Sequence, residues 1–166
     1  MGGAVPKLST RGSMQIRLIM VGRTERGFVA DGLEHYTKRI GHSVQFSAVH
    51  LPEAGKGDAT FKSRWESERI LAELQPGEAV VALDERGKLL SSQAFAAQLG
   101  NWRDTGRHRM AFIVGGAYGL TDEVRARADL VLALSPMTFP HQLVRVLFAE
   151  QCYRALMILR GAPYHH

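Results

Sequence analysis

Residues 128–142 read ADLVLALSPMTFPHQ, a strand running through a stiff loop into a helix. The run LVLAL at 130–134 has no polar face, so a strand here is covered on both sides. Two earlier runs share this character: VVAL at 80–83 and AFIV at 111–114. Strands apolar on both faces, alternating with helical patterns, predict an α/β protein with a mostly parallel sheet and helices on both faces. In such sheets ligands bind beyond the carboxyl ends of the strands. Three loops qualify: after Leu83-Asp84, after Val114, and after Leu134.

Working outward, strands are expected at 15–21, 43–50, 78–84, 110–114 and 129–134. A helix is expected from a Thr24 cap to Ile40, with Phe28, Leu33, Tyr36 and Ile40 at helical spacing and Gly41 as its terminal glycine. A second runs over 61–74 behind Asp58 or Thr60 and stops at Pro76-Gly77. Asp84-Glu85-Arg86-Gly87 reads as a turn. Ser91 or Ser92 caps a third helix ending near Trp102. Thr121 caps a short fourth, and the fifth spans 141–160.

The chain has 166 residues, 45% hydrophobic and 22% charged, which suits one globular core. No apolar run is long enough to cross a bilayer. Cys152 is the one cysteine, which excludes a disulfide framework or a cysteine-built zinc cluster and points to a reducing cytoplasm. The seven histidines show no metal-ligand spacing. Residues 1–13 carry no apolar period and read as a flexible leader or cloning remnant, leaving 14–166 as a single domain. Lys7 and Arg11 in that leader account for two of the five excess positive charges. The remaining basic bias fits RNA and an ordinary solvated surface equally.

The glycine loop Gly115-Gly116-Ala117-Tyr118-Gly119 lacks the G-x-G-x-x-G spacing of dinucleotide sites. Asp122 and Glu123 open the next helix and repel a phosphate at its N-terminus. A cationic ligand without phosphate suits these loops better. Locally, both the glycine loop and 134–139 also read as plain strand-to-helix connections. On the last helix Arg145 shares the face of Val144, Phe148, Cys152, Ala155, Leu156 and Leu159. A charge there needs a partner, on another chain or in a site. Glu150 and Arg154, four apart, can pair.

GGAYGL, SPMTFPHQLVRVLFAEQCYRA and the terminal PYHH resemble the large-subunit ribosomal RNA methyltransferases of the H type, within the SPOUT superfamily. The likeness runs from about Met14 to His165, including MQIRLIMVGR and EHYTKRI. It implies a C-terminal trefoil knot, a homodimer with sites near its interface, and S-adenosylmethionine as methyl donor. The implied reaction is methylation of N3 of a pseudouridine in 23S rRNA of the assembled ribosome. A knotted relative acting on tRNA or another rRNA site is the alternative. Carried over by position, the donor pocket is Leu83, Gly115, Leu134, Ser135, Pro136, Met137, Thr138 and Phe139. Substrate chemistry falls to Arg154, Tyr164 and His165: Arg154 to stabilise charge, Tyr164 to stack on the base, His165 or a water it holds to take the proton. No metal is implied. Ala117 and Tyr118 stand where the family often has Pro and Glu, and His166 where it often has a basic residue.

Overall fold

The computed structural model describes residues 13–165. The expected leader, but for Ser13, and His166 lie outside them. The elements in order are β1 (Gln15–Val21), α1 (Phe28–Gly41), β2 (Gln45–Leu51), α2 (Ala59–Glu73), β3 (Ala79–Leu89), α3 (Ser92–Asp104), β4 (Arg109–Val114), α4 (Asp122–Arg127), β5 (Leu130–Ala133) and α5 (His141–Arg160). The five strands form one sheet in the order β2-β1-β4-β3-β5, and every neighbouring pair is parallel.

The alternation of each strand divides the core in two. Ile16, Leu18, Met20, Val81, Met110, Phe112 and Val114 point one way and pack on Leu33, Phe95, Leu99, Phe148 and Cys152 of α1, α3 and α5. Ile19, Val21, Val80, Ala82, Ala111 and Ile113 point the other way, onto Ile70 of α2 and Val124 of α4. Helices therefore cover both faces, as the apolar strands require. Phe112 and Phe148 meet at 4.7 Å between ring centroids and tie α5 to the middle of the sheet.

Most boundaries follow local chemistry. Asp58 Oδ1 accepts the Phe61 amide and Ser91 Oγ the Ala94 amide, each one capping a helix. Gly161, at φ +67°, ends α5 in the left-handed region. Three expectations fail. Helix α1 starts at Phe28 behind Gly27, and the Thr24 hydroxyl is bonded elsewhere instead of capping it. Gly41 is the last residue of α1, and His42 follows in a right-handed conformation. The stretch 84–87 is not a free turn: β3 continues to Leu89, with its register to β5 shifted between Leu83 and Lys88. Gly87 permits this, because a Cβ there would lie 2.5 Å from the Val131 carbonyl oxygen.

Candidate functional site

Strand order brings the three loops together. β3 lies between β4 and β5, so the segments after Leu83, Val114 and Ala133 emerge side by side. They surround a cleft of about 500 Å³, within the usual size for a small-molecule site. Leu83, Val114, Leu132, Leu134, Met137 and Phe139 supply apolar walls, and the backbone of Gly115, Gly116 and Gly119 forms another side. Of the residues carried over from the family, Leu83, Gly115, Leu134, Ser135, Met137, Thr138 and Phe139 line this cleft; Pro136 is exposed and does not.

The loop 134–139 is braced at two points. The Ser135 hydroxyl accepts the Met137 amide, and the Thr138 hydroxyl donates to Glu85 Oε2 at 2.8 Å. Glu85 thus ties the irregular part of β3 to the far wall of the cleft.

Space explains the glycines. A Cβ on Gly115 would lie 2.9 Å from Leu120 Cδ2; one on Gly116 would lie 2.9 Å from Glu66 Oε1 and 3.2 Å from Val21 Cγ1. Glu66, only 3% exposed, stands directly behind the loop. Its Oε2 accepts the Ala54 amide at 3.0 Å, while Oε1 has no partner among the described residues.

Sequence reasoning missed a paired cation in this cleft. Arg125 lines it, and its guanidinium pairs with both Asp84 and Asp122 and donates to the Leu120 carbonyl. The hydrogen bond from Arg125, with its charge, holds the Asp122 carboxyl below the usual carboxylate range. Arg86, exposed at the same rim, also lines the cleft, so the two lining carboxylates, Asp84 and Glu85, are matched by two arginines. Its apolar walls and close glycine backbone can hold a nucleoside such as that of S-adenosylmethionine. The signal was present four positions beyond Thr121, at the spacing where a helix turns a side chain back.

The second group of predicted residues converges at the other end of α5. The Arg154 Nε donates to Glu150 Oε1 at 2.9 Å, so the expected pair forms. Arg154 Nη1 also lies 3.0 Å from His165 Nδ1, and His165 Nε2 lies 2.7 Å from the Gln93 side-chain amide. An arginine can only donate. Nδ1 is therefore the acceptor, which places the ring proton on Nε2 and requires Gln93 to present its amide oxygen there. The Tyr164 hydroxyl donates to Glu150 Oε1 at 3.1 Å, its ring lies under Arg154 at 4.9 Å, and it meets Tyr153 edge-on at 4.8 Å. Burial, with Glu150 alongside, pushes the Tyr164 phenol up to about 12. Stacking on a base would require this ring to leave that packing.

Arg154, Tyr164 and His165 do not border the cleft. Val144 does, and Arg154 lies ~15 Å further along the helix axis at the rise of an α-helix. Between them, behind Leu134, Ser135 and Phe139, is a second hollow of about 430 Å³ lined by Tyr36, Leu90, Phe95, Val146, Leu147 and Glu150.

The expected partner of Arg145 proves to be its own chain. The side chain is fully buried, donating to the Val21 carbonyl at 2.6 Å, the Gly22 carbonyl at 3.1 Å and the Thr24 hydroxyl at 2.9 Å. Burial pulls its pKa down while Glu53 and Glu25 oppose the shift. Cys152 is buried, and burial alone pushes its thiol up to about 12, as for an inert core side chain. The described residues contain no group of three or more His, Cys, Asp or Glu side chains able to hold a metal, and no helix long and apolar enough to cross a membrane.

Residues 14–165 match the family described as "Predicted SPOUT methyltransferase". Ribosomal RNA large subunit methyltransferase H of Rhodospirillum centenum is 47% identical over 152 residues, covering 92% of this chain and 99% of that protein. The protein of the same name from Anaeromyxobacter sp. strain Fw109-5 is 46% identical over 153 residues, with the same coverage. Among solved structures, a probable methylase family protein from Haemophilus influenzae Rd KW20 superposes with a TM-score of 0.54 at 13% identity, over 92% of this chain and 71% of that one. A putative methylase family protein from Neisseria gonorrhoeae gives 0.52 at 14%, over 100% and 90%. These distant structures speak for the fold alone, and the full-length sequence matches for the family: the chain belongs to the SPOUT methyltransferases, in the branch of the ribosomal RNA large subunit methyltransferase H proteins.

Proposed function

We propose that this protein, acting through residues 14–166 as a single domain, transfers a methyl group from S-adenosylmethionine to N3 of a pseudouridine in 23S rRNA of the assembled ribosome. The observation that carries this reading is the apolar-walled cleft at the ends of β3, β4 and β5, in a chain whose relatives are named for rRNA methylation. The bound donor supplies an electrophilic methyl group on a sulfonium. Leu83, Gly115, Leu134, Met137 and Phe139 would enclose the nucleoside, with Ser135 and Thr138 fixing the loop that closes on it and Pro136 stiffening that loop from outside. We assign 134–139 as the threaded segment of a trefoil knot; the close passage of Gly87 against Val131 supports so tight a crossing.

The target N3 carries an imide proton. Once Arg154 turns from His165 Nδ1 to the substrate, that nitrogen, or a water held on it, would take the proton and free the electron pair that forms the N–C bond as the C–S bond breaks and the thioether leaves. Arg154, adjacent to His165, would stabilise the negative charge on the flanking carbonyl oxygens. Tyr164 and Glu150 hold Arg154 in place; stacking of Tyr164 on the base requires release of that hold. The ~15 Å between Arg154 and Val144 along α5 leaves a single chain incomplete. A homodimer resolves this: one copy supplies the cleft and its partner the Arg154-His165 cluster. The apolar hollow behind 134–139 and the exposed Leu89 and Leu90 suit that contact. Such a protein would work in the cytoplasm, where ribosomes are. Mixed dimers test the arrangement: a cleft-dead subunit and an Arg154→Ala subunit should restore one active site together, while either homodimer stays inactive. Inactive mixed dimers would refute it.

A further inference from the structure

We propose that residues 23–28, Arg-Thr-Glu-Arg-Gly-Phe, form a rigid RNA-binding platform beside the donor cleft, with Arg23 and Arg26 taking phosphates and Phe28 stacking on an unpaired base. The proposal rests on the reading of the substrate as rRNA.

This segment is exposed yet firmly held. Arg145 fixes the Val21 and Gly22 carbonyls and the Thr24 hydroxyl, which also lies 3.2 Å from His50 Nε2. Gln142, itself buried, donates to the Arg23 carbonyl and accepts the Glu25 amide, both at 2.9 Å. A plain strand-to-helix connection does not need two buried polar side chains, one of them an arginine whose desolvation is expensive. What they immobilise faces solvent. Arg23 and Arg26 are exposed and form no hydrogen bond or ion pair through their guanidinium groups among the described residues, and Phe28 is 77% exposed. Gly27, at φ +97°, makes the bend that sets Phe28 at the head of α1.

Position and chemistry favour single-stranded RNA. The clamp comes from the first turns of α5, whose His141 and Val144 line the cleft, so the platform and the cleft are fixed to one helix end. A base presented to the cleft must leave its stack, which exposes the faces of its neighbours to an aromatic ring. Two free guanidiniums against one carboxylate, Glu25, leave the segment net positive toward a phosphate backbone.

The test uses assembled ribosomes lacking the methyl group and the full chain with Arg23→Ala/Arg26→Ala, Arg23→Lys/Arg26→Lys or Phe28→Ala. For the double alanine variant, loss of two phosphate contacts should flatten the slope of log affinity against log salt by about 1.4. KM for the ribosomes should rise about tenfold, in line with losing phosphate contacts, with kcat unchanged and S-adenosylmethionine affinity intact by calorimetry; the lysine variant should recover most of the loss. Phe28→Ala should weaken RNA binding roughly 5- to 150-fold, the range for one stacked base. Wild-type KM and salt slope in both alanine variants would overturn the platform. So would a Phe28→Ala protein that sediments as a smaller species, since Phe28 would then contact a second copy. Failure of the wild-type protein to methylate these ribosomes at all would instead sink the assignment of function.

Discussion

Replacing Arg145 with methionine tests whether this buried cation is a clamp within the chain. Methionine fills similar space, so little cavity is expected, but the carbonyls of Val21 and Gly22 lose their donors. Each stranded buried acceptor costs ~1–3 kcal/mol, or ~2–6 kcal/mol for the two. Relief of the guanidinium's own desolvation offsets part of this, leaving a net loss of about 3 kcal/mol, the lower end for breaking a buried charged cluster. In a chain of 166 residues, at ~2–4 °C per kcal/mol, the midpoint should fall by roughly 6–12 °C in a calorimetric melt. A second readout is independent of stability. Burial and the nearby Arg145 charge hold His50 below its ordinary value of 6.5. Without that charge, its titration, followed by NMR, should move upward. An unchanged melting temperature together with an unchanged His50 would refute the clamp. A stable but monomeric variant would return Arg145 to a subunit interface.

Gly116→Ala should lower the melting temperature and weaken donor binding in calorimetry, because the new methyl meets two fixed groups, Glu66 Oε1 and Val21 Cγ1; overpacking of this kind costs ~1–3 kcal/mol. Gly87→Ala faces backbone at 2.5 Å and should be the worse of the two in the same melt. Tyr164, with its phenol pushed up to about 12 from 10.0, favours the folded state fully below about pH 10 and loses that contribution as pH rises through about 12. Glu150→Gln should bring its ultraviolet titration back down, and no movement would remove Glu150 as a cause. Cys152 should resist thiol reagents in the native protein at pH 8 and react on unfolding; Cys152→Ala should keep full methylation, and loss of activity with an intact fold would give that thiol a role.

Much of this was legible because strands buried on both faces leave no alternative to a layered parallel sheet. The runs VVAL and AFIV located its centre, while LVLAL, equally apolar, proved to be the edge strand β5 beside them, and strand adjacency then forced their three following loops into one cleft. Local signals failed where tertiary bonds outbid them. Thr24 looked like a cap, but Arg145 and His50 hold its hydroxyl from far along the chain. The turn expected at 84–87 is taken up within β3 as an irregularity, since pairing with β5 resumes at Lys88 and Leu89. Arg145 needed a partner, and no periodicity could reveal that β1's own carbonyls would supply it. Glu66 behind the glycine loop was likewise silent, a polar residue on an otherwise ordinary helix. The separation of Arg154, Tyr164 and His165 from the cleft emerges only from the length of α5.

The most direct test incubates the purified protein with methyl-labelled S-adenosylmethionine and ribosomes from a strain lacking this methyltransferase, then digests the RNA and reads it by mass spectrometry. The account predicts one labelled N3-methylpseudouridine in 23S rRNA, absent with His165→Ala. Label in tRNA, on a different nucleoside, or nowhere would contradict it.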